Sequence, residues 1–157
     1  MTPEEVLARR LAAEIEAELA TMGALGEEFA NAPRGGDSYA IRARGSMLHD
    51  FYNCVERVFL RIARELNGGA PRGEQWHQLI SDMALEIVGV RPAVVDRRLA
   101  ETLREYLRFR HVFRNVYGGV LDAERMASLE DRLPATMTAF RHDIKAFVAW
   151  LVGQPAV

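Results

Sequence analysis

The sequence contains one cysteine, Cys54, and one lysine, Lys145, and it has no long hydrophobic run. A single thiol excludes an internal disulfide framework, and the scattered histidines lack metal-ligand spacing, so we predict no metal site. No glycine-rich phosphate loop appears, and no cofactor is predicted. No stretch approaches the roughly 18 consecutive apolar residues of a membrane span, which predicts no membrane association. Acids at Glu4 and Glu5 replace the basic segment of an export signal, so we expect a cytoplasmic protein.

The composition is that of a soluble globular protein. Of the 157 residues, 49% are hydrophobic and 27% are charged, which excludes a disordered chain and predicts a single domain over residues 1–157. The formal net charge of -2 excludes a basic field over the whole surface. The charge is unevenly distributed, however: residues 1–31 carry seven acids against two arginines, and residues 97–114 carry six arginines against two acids.

Apolar residues recur at steps of three or four almost throughout, which predicts an all-α fold. Capping residues, glycines and prolines then divide the chain into segments. The predicted helices run from the Thr2–Glu5 capping box to Asn31, from Asp37 and Ser38 to Asn67, from Glu74 to Ile87, from Ala93 to Tyr117, and from the Asp122 cap through Pro134 to Leu151. Four long helices and one short helix joined by short loops predict an up-and-down bundle, in which the last segment is one kinked helix or two helices in line.

The fourth predicted helix combines arginines with other groups that bind phosphate. On a helical wheel, one polar face and its flanks hold Arg104, Arg108, Arg110, His111, Arg114 and Asn115. Arginine offers a planar fork of donors that matches phosphate, so this arc favours a phosphate or nucleic-acid ligand. The alternative is a solvated face, in which Arg110 and Arg114 pair with acids of the second helix such as Asp50 or Glu56.

The run from Arg108 to Gly118 resembles the signature of the HEPN superfamily, and in particular of its HepT-like ribonuclease toxins. That motif is an arginine, usually followed by Asn, Asp or His, with a histidine after four to six intervening residues and often a tyrosine two residues beyond. Arg110 matches the arginine, His111 the residue after it, and Tyr117 the tyrosine. Asn115 stands where the histidine is expected.

The resemblance implies metal-independent RNA cleavage in a cleft between the two protomers of a homodimer. Arg110 would stabilise the scissile phosphate, and Glu56 would orient Arg110 from the second helix. The remaining arginines of the arc would bind the RNA backbone, and they are Arg104, Arg108 and Arg114. In such families a partner nucleotidyltransferase (MNT) antitoxin of a type VII toxin–antitoxin pair transfers AMP to the tyrosine, which makes Tyr117 the candidate acceptor.

The asparagine at position 115 leaves two interpretations open, because an amide does not exchange protons at useful pH. In the first, His111 transfers protons one helical turn before Asn115, which orients the substrate. In the second, catalysis is lost and the protein is a binding module for RNA, a nucleotide or a partner protein. A plain structural bundle with an arginine-rich surface is a third interpretation, from a different functional class.

Overall fold

The computed structural model describes residues 1–68, 76–115 and 123–153, and for residues 76, 77, 114, 115 and 123 it describes the backbone alone. These ranges form five α-helices and no β-strand, so the predicted all-α fold is confirmed. The helices are α1 (Pro3–Ala30), α2 (Ser38–Leu66), α3 (Trp76–Met83), α4 (Arg97–Asn115) and α5 (Ala123–Leu151).

The first two helices begin where their capping residues predict. The Thr2 side chain accepts a hydrogen bond from the Glu5 amide, and the Glu5 carboxylate accepts from the Thr2 amide, which completes the capping box. Asp37 caps α2 by accepting from the amide of Ala40. Each cap satisfies backbone donors that no helical carbonyl can reach, so these boundaries are fixed locally.

The third and fourth helices are shorter than predicted. α3 ends at Met83 instead of Ile87, because Arg91 is buried and donates hydrogen bonds to the Asp82 carbonyl and to Asn67, the residue that follows α2. α4 begins at Arg97 instead of Ala93, because the Asp96 carboxylate accepts from the Leu99 amide and caps the helix there. The other predicted ends of these helices, at residues 74 and 117, and the predicted cap at residue 122, lie outside the described residues.

The helices pack around α2, which contacts each of the other four. Long helices that follow one another along the chain are antiparallel: Glu18 of α1 pairs with Arg57 of α2, while Glu14, one turn earlier, pairs with Arg61, one turn later. The contacts of α4 with α2 and with α5 follow the same rule. The predicted up-and-down arrangement is therefore present in the described chain.

The last segment forms one continuous helix through Pro134. Proline removes one backbone donor and interrupts helical bonding in the turn before it. Just before that turn, the buried Tyr106 hydroxyl of α4 donates to the carbonyl of Leu129 at 2.7 Å, which fastens α4 to α5.

The interhelical core is apolar and includes the thiol of Cys54, whose exposed fraction is 2%. Burial raises the pKa of Cys54, which is the expected behaviour of a core thiol. Within the described ranges, none of the helices combines the length and hydrophobicity that crossing a bilayer requires.

Candidate functional site

The side chain of Arg110 lies buried between α4 and α2, with 6% of the residue exposed. Its Nη2 atom lies 2.8 Å from Oε2 of Glu56, and its Nη1 atom donates to Oδ1 of Asn53 at 3.2 Å. The guanidinium carbon stands 4.8 Å from the ring centroid of Tyr52. A carboxylate, an amide and an aromatic face therefore hold the motif arginine in one orientation.

These three partners share one face of α2 because their sequence positions are spaced by one helical turn. Tyr52 and Glu56 are four residues apart, and Asn53 is three residues before Glu56. The predicted contact between Glu56 and Arg110 is present. Asn53, like Asp50, has the same standing as Glu56 in the sequence, as a partner for Arg110 or as a solvated surface residue, and its contact with Arg110 joins positions 57 residues apart.

Tyr52 provides the aromatic face of the Arg110 contact and is fully inaccessible to solvent. Burial raises its pKa strongly, and the nearby carboxylate of Glu56 raises it further. The phenol is therefore neutral near pH 7. The positive charge of Arg110 is balanced by Glu56 alone among these three partners.

The polar network extends along α2 from Asn53 to His49. The amide nitrogen of Asn53 lies 3.2 Å from Nδ1 of His49, and Nδ1 lies 3.5 Å from Oδ1 of Asp50. The His49 ring also packs against Phe113 of α4, with 5.4 Å between the ring centroids. His49 was not predicted as a site residue, although its spacing of four from Asn53 is visible in the sequence.

The arginines of the predicted polar arc point to three different places. Arg110 faces α2, whereas Arg104 donates to the Ser81 hydroxyl of α3 at 2.9 Å. Arg108 is exposed and lines a cavity between α4 and α5. The helical wheel puts Arg110 at the flank of the exposed arc, and in the structure its side chain turns inward to Glu56, the acid on α2 that the sequence offered as its partner.

The remaining predicted residues are placed less fully. His111 is exposed and follows the buried Arg110, so the two side chains leave α4 in directions about 100° apart. The backbone of Arg114 and Asn115 belongs to α4, but their side chains lie outside the description. Tyr117 lies outside the described residues altogether.

The cavity between α4 and α5 has a volume of about 410 Å³. That volume lies in the usual range of ligand pockets, roughly 300–1,000 Å³. Its apolar wall comes from both helices, and an ion pair between Arg132 and Glu105 crosses it. It is lined by Glu105, Arg108, Phe109, Val112, Arg125, Ser128, Leu129 and Arg132.

Metal ligands do not converge in the part of the chain that the structure describes. There, His, Cys, Asp and Glu side chains form no group of three that could hold a metal ion. The sites described above therefore consist of arginines with their acidic, amide and aromatic neighbours.

Comparison with known proteins places this architecture in a family. A family model described as "HepT-like protein" matches residues 43–151, which is more than half of the chain and contains all of α3, α4 and α5 and most of α2. No curated protein and no solved structure matches the chain. The chain belongs to the HepT-like family of the HEPN superfamily.

Proposed function

We propose that this chain is the toxin component of a two-gene toxin–antitoxin pair and acts as a metal-independent RNA endonuclease. Membership in the HepT-like family supports a toxin-like function of the HEPN type. The observation that carries the proposal is the fixed Arg110 at the α2–α4 contact. Burying a charged pair is costly, and apolar residues would join two helices at least as well, so the pair favours a chemical role for the arginine.

The proposed reaction is a transesterification within the RNA. The 2′-oxygen bonds to phosphorus and loses its proton, while the bond from phosphorus to the 5′-oxygen breaks and the leaving oxygen gains a proton. The products are a 2′,3′-cyclic phosphate and a 5′-hydroxyl. Arg110 stabilises the negative charge on the phosphoryl oxygens, and Glu56 and Asn53 together engage two of its five N–H donors.

We assign proton transfer to His111 and substrate orientation to Asn115, as the motif comparison suggests. The exposure of His111 supports this role, because a proton-transfer group must be reachable by RNA. Within one protomer, the side chain of His111 leaves α4 in a different direction from the side chain of Arg110. A homodimer, the arrangement common among HEPN proteins, would bring His111 of one protomer towards the arginine of the other.

The RNA backbone is proposed to follow the arginines of α4 into the α4–α5 cavity. Arg108 and Arg125 add positive charge to a cavity in which Arg132 is already paired with Glu105. Phe109 supplies an aromatic surface on which a base could stack. Arg104 and Arg114 complete the proposed phosphate contacts along the same helix.

Regulation is proposed to act through Tyr117 in the cytoplasm. A nucleotidyltransferase antitoxin of the MNT class would transfer the AMP group of ATP to the phenolic oxygen, which loses its proton, and the broken phosphoanhydride bond would release pyrophosphate. The added bulk and phosphate charge beside the motif arginine would exclude the RNA substrate.

The proposal is tested by incubating purified protein with labelled RNA in the presence of a chelator. We expect cleavage products with cyclic phosphate ends, and a loss of at least a hundredfold in rate for Arg110→Ala, in the range reported for groups that stabilise transition-state charge. Arg110→Lys keeps the charge but loses the planar fork, and it guards against a misfolded alanine variant. Arg10→Ala on α1 is the control, since Arg10 lies on the acidic helix. Cleavage that survives unchanged in both Arg110 variants would contradict the assignment.

A non-catalytic binding module is the second candidate. It is favoured by the amide at position 115 and by the neutralisation of Arg110 by Glu56. Purified wild-type protein that binds RNA or the antitoxin but yields no cleavage products would support this candidate over the first.

A further inference from the structure

Arg110 and His49 are linked through a single amide. The side chain of Asn53 lies between them, with its oxygen 3.2 Å from Nη1 of Arg110 and its nitrogen 3.2 Å from Nδ1 of His49. Neither contact depends on the residues of the α4 motif other than Arg110. The link therefore joins α2 to the proposed phosphate-binding group through one short side chain.

The chemistry of an amide fixes the direction of this link. Arg110 can only donate, so Asn53 must turn its oxygen towards the guanidinium. Its NH₂ group, which can only donate, then faces His49. Nδ1 of His49 must accept that hydrogen bond, which places the ring proton of the neutral imidazole on Nε2.

We propose that neutral His49 is a positioning residue, which holds Arg110 ready for an RNA phosphate through the amide of Asn53. This inference rests on the proposed RNA binding at Arg110 and extends it. Protonation of His49 puts an N–H on Nδ1, opposite the NH₂ of Asn53. The N–H of His49 and the NH₂ of Asn53 are then two donors that face each other. Rotating the amide would not help, because its NH₂ would then face Arg110, which is also only a donor.

The groups around His49 offer its protonated form another partner. Asp50 lies 3.5 Å from Nδ1 and is about half exposed, so the new N–H can turn to that carboxylate. Among the described side chains, α4 contributes the Phe113 ring, and Asn53 lies between His49 and the Arg110–Glu56 pair. Protonation thus exchanges the Asn53 contact for an Asp50 contact and releases one of the three side chains that hold Arg110.

The test measures binding of an RNA oligonucleotide with 2′-O-methyl groups, which cannot be cleaved, near pH 7.5 and near pH 5.5. General electrostatics predicts tighter binding at low pH, because histidines gain positive charge. We expect the opposite: an affinity roughly five- to tenfold weaker near pH 5.5, the scale of the net contribution of one ordinary hydrogen bond.

Two variants separate His49 from other titrating groups. His49→Gln offers Asn53 an acceptor that does not titrate, and Asn53→Asp offers a carboxylate that accepts from both Arg110 and protonated His49. In both variants we expect the affinity near pH 7.5, divided by the affinity near pH 5.5, to fall to about one or below. His142→Gln is the matched control, because this α5 histidine has a side chain that is 82% exposed, and it should keep the wild-type ratio.

The outcomes separate this inference from the proposed function. Wild-type binding that does not weaken at low pH, or a His49→Gln protein that keeps the wild-type ratio, would overturn the role of His49. An RNA that binds with the expected ratios but is never cleaved would overturn the nuclease and leave the His49 inference standing. Circular dichroism at both pH values confirms that each variant is folded when its affinity is measured.

Discussion

The carboxylate of Glu56 and the guanidinium of Arg110 form a buried ion pair at 2.8 Å, with side-chain exposures of 17% and 8%. It joins the middle of α2 to the C-terminal half of α4, the segment that carries the HEPN-like motif. Tyr52 is neutral and cannot balance the positive charge of Arg110. Removing Glu56 would therefore leave this charge without a carboxylate at the contact. The pair therefore contributes to both the packing of the bundle and the proposed chemistry.

Truncation of Glu56 tests this dual role. We expect Glu56→Ala to lower the free energy of unfolding by about 3 kcal/mol, the scale found when one partner of a buried ion pair is removed. Arg10→Ala, which breaks an exposed pair with Glu14, should cost about 0.5 kcal/mol or less. Urea denaturation measures both values.

A double substitution completes this experiment. Glu56→Leu combined with Arg110→Met removes both charges, and the double variant should recover most of the stability lost in Glu56→Ala. It should not recover RNA cleavage. If Glu56→Ala were no less stable than Arg10→Ala, the energetic importance of the pair would be refuted.

The predictable parts of the fold are those set by local interactions. Thr2, Glu5 and Asp37 cap helices through contacts within three residues, so the starts of α1 and α2 follow from the sequence. The end of α3 does not, because Arg91 reaches Asn67 across the fold, and the apolar spacing to Ile87 carries no information about that contact.

The candidate site shows the same division. The sequence provides the arginine motif and suggests Glu56 as its partner, since an acid on a neighbouring helix is a natural counterion. It cannot show that Arg110 turns inward while Arg108 stays exposed, because that choice depends on the packing of α2 against α4. His49 is linked to Arg110 only through Asn53, so its relevance emerges in three dimensions.

The salt dependence of RNA binding tests the α4–α5 cavity. Each arginine that neutralises a phosphate of single-stranded RNA contributes about 0.7 to the slope of log affinity against log salt concentration. We expect Arg108→Ala to reduce the slope by about that amount, as measured by fluorescence anisotropy. Arg132→Ala should change it less, because Glu105 already pairs with Arg132.

Arg9→Ala provides the matched control for this series. Arg9 is exposed on α1, where acids predominate, so its removal should leave the slope unchanged. Equal slopes for wild type and Arg108→Ala would place the RNA elsewhere on the surface.

Co-expression with the cognate nucleotidyltransferase tests modification of Tyr117. We expect a mass increase of one adenylyl group on the peptide that contains Tyr117, and no increase in Tyr117→Phe. The tyrosines of the described chain provide the controls: Tyr52 and Tyr106 are fully buried, whereas Tyr39 is 88% exposed. Tyr39→Phe should therefore be modified like the parent, and an adenylyl group found on the Tyr39 peptide would contradict the assignment.

Alkaline unfolding tests the contact of Tyr106 with Leu129. Burial raises the pKa of Tyr106 from 10.0 to about 12, so the folded state keeps its phenolic proton more tightly than the unfolded state. The resulting stabilisation is complete below pH 10 and is lost as the pH rises towards 12.

Tyr106→Phe should cost about 1 kcal/mol near pH 7, because the Leu129 carbonyl loses a donor. Between pH 10 and 12 the variant should lose less stability than the parent. It should still lose some stability over this range, because the pKa of Tyr52 is raised as well. Urea denaturation at several pH values measures this difference, and identical pH profiles for the two proteins would show that Tyr106 is not the titrating group.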